Sequence, residues 1–118
     1  MIDINGKISA NVSLDHWRAL VSVVDEGGYA AAAEALGKSQ STVSHSIQRL
    51  EQALGTAVLR IEGRRAVLTS IGIVVLRRAR LLLDEATDIE RMARTLSAGV
   101  EAEVNIAVDA VFPNQILL

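Results

Sequence analysis

Cysteine is missing from this chain of 118 residues. Its absence excludes a disulfide framework and any thiolate metal site, and fits a reducing cytoplasm. Aromatic side chains are almost missing too, with Trp17, Tyr29 and Phe112 as the whole set. Because apolar residues still make up 50% of the chain, a core has to be assembled from Ala, Val, Leu and Ile, which favours close-packed helices. No apolar run over residues 1–11 makes a signal peptide. The most apolar later stretch is broken by Arg77, Arg78, Arg80, Asp84 and Glu85, so no membrane segment or membrane partner is expected. The length allows one small domain and an appendage. A domain of that size buries a limited fraction of its surface, so help from a partner subunit is expected.

The net charge of −2 conceals a strong asymmetry. Residues 1–37 are acidic, with Lys7 and Arg18 set against Asp3, Asp15, Asp25, Glu26 and Glu34. Residues 38–80 carry Lys38, Arg49, Arg60, Arg64, Arg65, Arg77, Arg78 and Arg80 against Glu51 and Glu62 alone. Residues 81–118 turn acidic again, with Arg91 and Arg94 as their only cations. Phosphate binding follows local potential rather than the total, so a basic middle third in an acidic chain is compatible with nucleic acid.

The hydrophobic spacing predicts three short helices. The first starts after Ser13, a good N-cap, and carries Leu14, Trp17, Val21 and Val24 as a buried stripe with Leu20 beside it. Gly27-Gly28 ends it. The second is Ala-rich, from about Tyr29 to Leu36, and its small side chains let a neighbour approach closely. Gly37 makes the turn into a third helix over about residues 39–54. There Val43, Ile47, Leu50 and Leu54 form the core face, and Gly55 closes the helix. At about 100° per residue the opposite face holds Ser41, Thr42, His45, Gln48, Arg49 and Gln52, with Ser44 at its edge. That face has no acid, and Glu51 falls close to the buried stripe, where an intramolecular contact is expected. Two helices joined by a tight turn, the second with a hydrogen-bonding face, make a helix-turn-helix suited to the major groove of DNA.

Residues 57–61 and 66–68 read as a hairpin with a basic turn over residues 62–65, a wing. Thr69 or Ser70 then caps a helix running to about Ser97, roughly 40 Å long. Along it Val75, Ala79, Leu82, Ala86, Ile89, Ala93 and Leu96 alternate spacings of four and three, the pattern of a helix pairing with another helix. A second chain is the expected partner; an intramolecular core stripe is the alternative. After Ala98-Gly99 the alternation of Val104, Ile106 and Val108 with polar or small residues predicts a strand, and Pro113-Asn114 can open a helix. One strand and half a turn cannot form a domain, so residues 99–118 read as the start of something larger.

The fold expectation is therefore mainly α. A tail (1–12) precedes a winged helix-turn-helix (13–69) with a three-helix core and two-stranded wing, followed by a long dimerisation helix (70–98). Gln and Arg suit base edges because each forms two aligned hydrogen bonds; Ser and Thr adapt, and a Thr methyl can touch a thymine methyl. Arg64 and Arg65 at a hairpin tip suit phosphate or the minor groove. Arg77, Arg78 and Arg80 fit either a solvated flank or phosphate contact. His16 and His45 lie on different helices with no carboxylate at ligand spacing, so no metal or other cofactor is expected. No nucleophile with a base and no carboxylate pair suggests catalysis. A winged-helix module that binds protein and not DNA is the rival reading.

Taken together, several short motifs give the chain a resemblance to a known family. They are the Ala-rich second helix, Ser39-Gln40-x-x-Val43-Ser44, Arg49-Leu50-Glu51, Leu54-Gly55, and Gly63-Arg64-Arg65-Ala66-Val67-Leu68-Thr69-x-x-Gly72. Over roughly residues 14–108 the chain resembles the N-terminal part of a LysR-type transcriptional regulator. The resemblance implies a bacterial, cytoplasmic, dimeric DNA-binding protein that recognises an inverted repeat, with a tetramer open to the full-length form. It also implies an effector-binding domain beyond this chain, of which residues 103–118 match only the first strand; a small-molecule effector belongs to that domain. The family's DNA contacts carry over to Gln40, Ser41, Thr42, Ser44, Gln48, Arg49 and Arg64. His45 and Arg60 join them where this chain departs from the pattern. The family commonly has Pro at the position of Ser41, Arg at His45, Phe at Leu59 and Arg at Ile61.

Overall fold

Residues 11–106 are described by the structure, a computed structural model. The expected tail through residue 10, the strand position Val108 and the helix start at Pro113-Asn114 lie outside them. Helix α1 (Leu14–Glu26), α2 (Tyr29–Leu36) and α3 (Gln40–Leu54) are followed by strands β1 (Leu59–Glu62) and β2 (Arg65–Leu68), then α4 (Ser70–Ile106).

Local chemistry sets the helix limits. The Ser13 hydroxyl accepts from the His16 amide at 3.3 Å, and His16 Nδ1 accepts from the Ser13 amide at 3.2 Å. This reciprocal capping box places an imidazole where Glu or Gln is usual, and so accounts for His16. Gly27, at φ 88°, closes α1 in the left-handed region that glycine occupies without penalty.

Leu20, Val23, Ala32, Val43, Ile47, Leu50 and Val58 form the centre of the core. The inward face of α1 differs from the expected one. Ala19, Leu20 and Val23 are fully buried, Trp17, Val21 and Val24 sit at the flank, and Leu14 is exposed. The stripe is rotated by roughly a third of a turn because α1 packs on both α2 and α3, which favours the side holding the small Ala19. Leu54, expected inside, is 38% exposed as the last residue of α3. Val12, assigned to the tail, packs against the core.

The wing is tighter than its composition suggested. Its strands pair antiparallel, with Leu59 opposite Leu68 and Glu62 opposite Arg65. The turn is therefore Gly63-Arg64 alone, and β1 starts and ends later than the expected 57–61. Gly63 has φ 63°, and no non-glycine residue among those described has a positive φ. That combination is a type II′ turn, whose twist matches the strands it joins.

Helix α4 has two distinct faces. Its first turns belong to the core: Leu76 and Ala79 (2% exposed) are buried and Val75 packs beside them. Val75 and Ala79, the first two positions of the expected pairing seam, are thus already occupied within the chain. Arg80 adds a bidentate pair to Asp25 at 3.1 and 2.5 Å, and this hydrogen-bonded guanidinium lowers the Asp25 carboxyl below its ordinary value. The first compact unit accordingly extends into α4, as far as Leu83.

In the second unit, from Asp84, the helix runs through Ala98-Gly99 to Ile106. Val104 and Ile106 are therefore helical and not in a strand. One interior glycine costs about 1 kcal/mol, and Leu96, Ala98, Glu101, Ala102 and Glu103 around it are good helix formers. The period-two alternation is too short to outweigh an established helix.

Gly72 carries a sharp packing constraint. A Cβ there would run into the Val58 backbone carbonyl and lie 3.1 Å from Leu68 Cδ2. Gly72→Ala would gain about 1 kcal/mol of helix propensity but has to displace backbone. The overpacking cost, about 1–3 kcal/mol, is expected to dominate and lower the denaturation midpoint; a stabilised variant would show that the α4–wing junction yields easily.

Candidate nucleic-acid interface

The helix-turn-helix is built by two caps in succession. Gly37 takes φ 65°, its amide donates to Glu34 C=O, and the Lys38 amide reaches Ala33 C=O at 2.9 Å. The chain then re-enters a helix at Ser39, whose hydroxyl accepts from the Thr42 amide at 3.1 Å. With Val43, Ile47 and Leu50 buried, the helical period turns Ser41, Thr42, His45, Gln48, Arg49 and Gln52 outward, and Gln40 joins them in solvent as the first residue of α3. All seven are exposed, and Ser44 is half-buried.

The first turn of α3 carries a short hydroxyl chain. Ser39 Oγ lies 3.1 Å from Ser41 Oγ and 2.7 Å from Thr42 Oγ1. Having accepted the amide, the Ser39 oxygen has one lone pair and one proton left for these two neighbours. One neighbour therefore donates to Ser39 and keeps only acceptor capacity, while the other accepts and keeps its O–H as a donor. Reversing the chain exchanges the roles, giving this end of α3 one donor and one acceptor in either order. Sequence reasoning treated Ser39 as the start of the helix and missed this organising role, although the capping position was visible.

Glu51 points away from that surface. Its carboxylate accepts from the Val58 amide at 2.8 Å and the Leu59 amide at 3.3 Å. The acid therefore ties the end of α3 to the start of the wing and leaves the exposed face of α3 acid-free. Partial burial, with the Glu51 charge as a lesser cause, pushes the Tyr29 phenol upward, so Tyr29 stays neutral near this junction.

The wing offers a second charged surface. Arg60, Arg64 and Arg65 are all exposed. Arg60 is held by Glu62, with Nε at 3.0 Å and Nη2 at 2.9 Å from Oε2. Among the α4 arginines, Arg77 and Arg78 are exposed, whereas Arg80 is engaged with Asp25. The expected site residues thus fall into two surface groups, one on α3 and one on the wing. His45 is on the former, and Arg60 is in the latter but tied to an acid.

Comparison with known proteins gives the family and the fold. Residues 14–73 match the model for bacterial regulatory helix-turn-helix proteins of the lysR family. The chain is 31% identical over 102 residues to the probable HTH-type transcriptional regulator YhaJ of Escherichia coli strain K12, covering 86% of this chain and 34% of that protein. It thus spans about a third of the length of such curated relatives. Among solved structures, the BenM DBD/catB site 1 DNA complex aligns with TM-score 0.71 and 30% identity, over 73% of this chain and 97% of that one. The CbnR DBD–DNA complex aligns with TM-score 0.69 and 29% identity, over 73% and 99%.

The Glu51 clamp is testable without DNA. Glu51→Ala strips a charged acceptor from two wing amides and should cost about 1.5–3 kcal/mol of unfolding free energy in denaturant titrations. Glu51→Gln keeps a neutral acceptor and should cost less. Equal losses in the two variants would show that side-chain packing, and not the hydrogen bonds, carries the junction.

Proposed function

We propose that this chain, which belongs to the lysR family of bacterial regulatory helix-turn-helix proteins, reads operator DNA with α3 in the major groove. The wing lies on the flanking phosphates or in the minor groove. The observation that carries the assignment is the outward face of α3: an uninterrupted set of donors and acceptors with its one acid, Glu51, turned inward. Gln48 and Arg49 are assigned to base edges, as each can make paired hydrogen bonds. Gln40, Ser41, Thr42, Ser44 and His45 share that surface, and the Ser39 hydroxyl chain couples Ser41 and Thr42 so that one offers its O–H while the other offers lone pairs. Arg60, Arg64 and Arg65 are assigned to the DNA backbone, where charge matters more than pattern.

The proposal extends to a homodimer formed through α4. Leu82, Ile89 and Leu96 recur at intervals of seven and are 44%, 50% and 55% exposed, with Met92 exposed and Ala86 and Ala93 between them. Large apolar side chains at heptad spacing on a helix surface are what a second α4 would cover. Two-fold pairing presents two copies of α3 to an inverted repeat. Val75 and Ala79 support the helix from within the chain and are left out of the pairing face. Among the described residues no helix is long and apolar enough to cross a membrane.

In vitro selection of DNA bound by this chain tests both parts, because an enriched inverted repeat reports base readout and half-site spacing together. Gln48→Ala or Arg49→Ala should cost about 1–3 kcal/mol at one base position and relax preference there. Arg64→Gln with Arg65→Gln should weaken binding to every sequence and flatten the salt dependence by about 0.9 for each phosphate no longer neutralised. Binding of random DNA that is absent or insensitive to salt would favour the rival protein-interaction module. Leu82→Asp with Ile89→Asp should convert the sedimenting species to monomer; an unchanged dimer would refute pairing through α4.

A further inference from the structure

We infer that Glu62 is an internal competitor for DNA phosphate, holding Arg60 in the unbound protein and setting the affinity of the wing. The inference rests on the DNA-binding reading above and assigns a function to an acid which that reading leaves unused.

In a strand, residues i and i+2 stand on the same face, so Arg60 and Glu62 project together from β1. Register adds a third charge, because Arg65 stands directly opposite Glu62 on β2. Glu62 thus has cations along its own strand and across from it, and its ion pair is with Arg60. Leu59 on the opposite face is buried and anchors the wing. Arg60 and Glu62 are themselves 57% and 56% exposed, and their bridge is closed at 2.9 Å. A phosphate offers Arg60 the same chemistry as Glu62, whose Oε2 takes both Nε and Nη2: an anionic oxygen for the guanidinium edge.

The exchange has a defined ionic balance. When Arg60 leaves Glu62 for a phosphate, the DNA releases a counterion, but the stranded carboxylate gathers cations from solution. The two effects offset each other, so Arg60 adds little to the salt dependence while Glu62 is present. An exposed ion pair that has to open restrains affinity by up to about fivefold. The restraint applies to all sequences, since phosphates carry no base identity. It therefore limits retention on random DNA without touching the readout by α3.

The experiment compares this chain with Glu62→Gln, Arg60→Gln and the double variant, measuring affinity for random-sequence duplex across a salt series. All substituted positions are exposed, and thermal melts check that each variant remains folded. Glu62→Gln is expected to tighten binding about three- to fivefold at low salt and to steepen the log–log salt slope by about 0.9. In the Arg60→Gln background the same change should leave the slope where it was. Two results would overturn the inference: Glu62→Gln giving no tightening, or giving the same slope change with and without Arg60. The second would mean that Glu62 merely repels DNA through space. If the parent chain itself shows no salt-dependent binding, the DNA-binding reading fails first, so the two failures are distinguishable.

Discussion

Both peptide groups of Val58 are held by other elements. Its amide donates to the Glu51 carboxylate at the end of α3, and its carbonyl accepts from the Thr69 amide at 3.0 Å, one residue before α4. The side chain is fully buried, and the carbonyl faces the bare backbone of Gly72. Thr69 completes the joint, donating its hydroxyl to Ala57 C=O and accepting from the Gly72 amide. A buried peptide group without a partner is costly, so the end of α3, the wing and the first turn of α4 are fixed to one another around a single residue. The spacing between the two candidate DNA-contacting surfaces follows from that joint.

The distribution of charge fits the same joint. The segment 38–80 contains only two acids, and each has a specific place. Glu51 is turned inward onto wing amides, and Glu62 stands beside Arg60. One acid shapes the surface without facing it, and the other forms an ion pair on it. Asp25, from the acidic first third, takes up Arg80 and ties α1 to α4. The basic cluster is therefore smaller than a count of arginines implies, and its exposed members concentrate on α3, the wing and the outer side of α4.

Helix α4 shows how one periodic pattern can serve two purposes. The series from Val75 to Leu96 is continuous in sequence, yet Val75 and Ala79 complete the core of the first unit while Leu82, Ile89 and Leu96 remain uncovered. A three-four spacing records that a residue is wanted against something apolar. It does not say whether that surface belongs to the same chain or to another.

Periodicity and capping chemistry, both local, determined most of the architecture directly from the sequence. Ser13, Gly27, Gly37, Ser39, Gly55 and Thr69 mark the helix limits because their side chains, or lack of them, satisfy or release terminal peptide groups within a few residues. The outward face of α3 was legible for the same reason, since three large buried residues at four- and three-residue spacing leave no choice of orientation. Tertiary structure alone decided which flank of α1 turns inward, that Leu54 stays outside, and that β1 ends at Glu62. It also decided what Glu51, Glu62 and Arg80 hold. Each of these depends on a partner distant in sequence or on competition between nearly equal local preferences, and only packing against the rest of the chain resolves such choices.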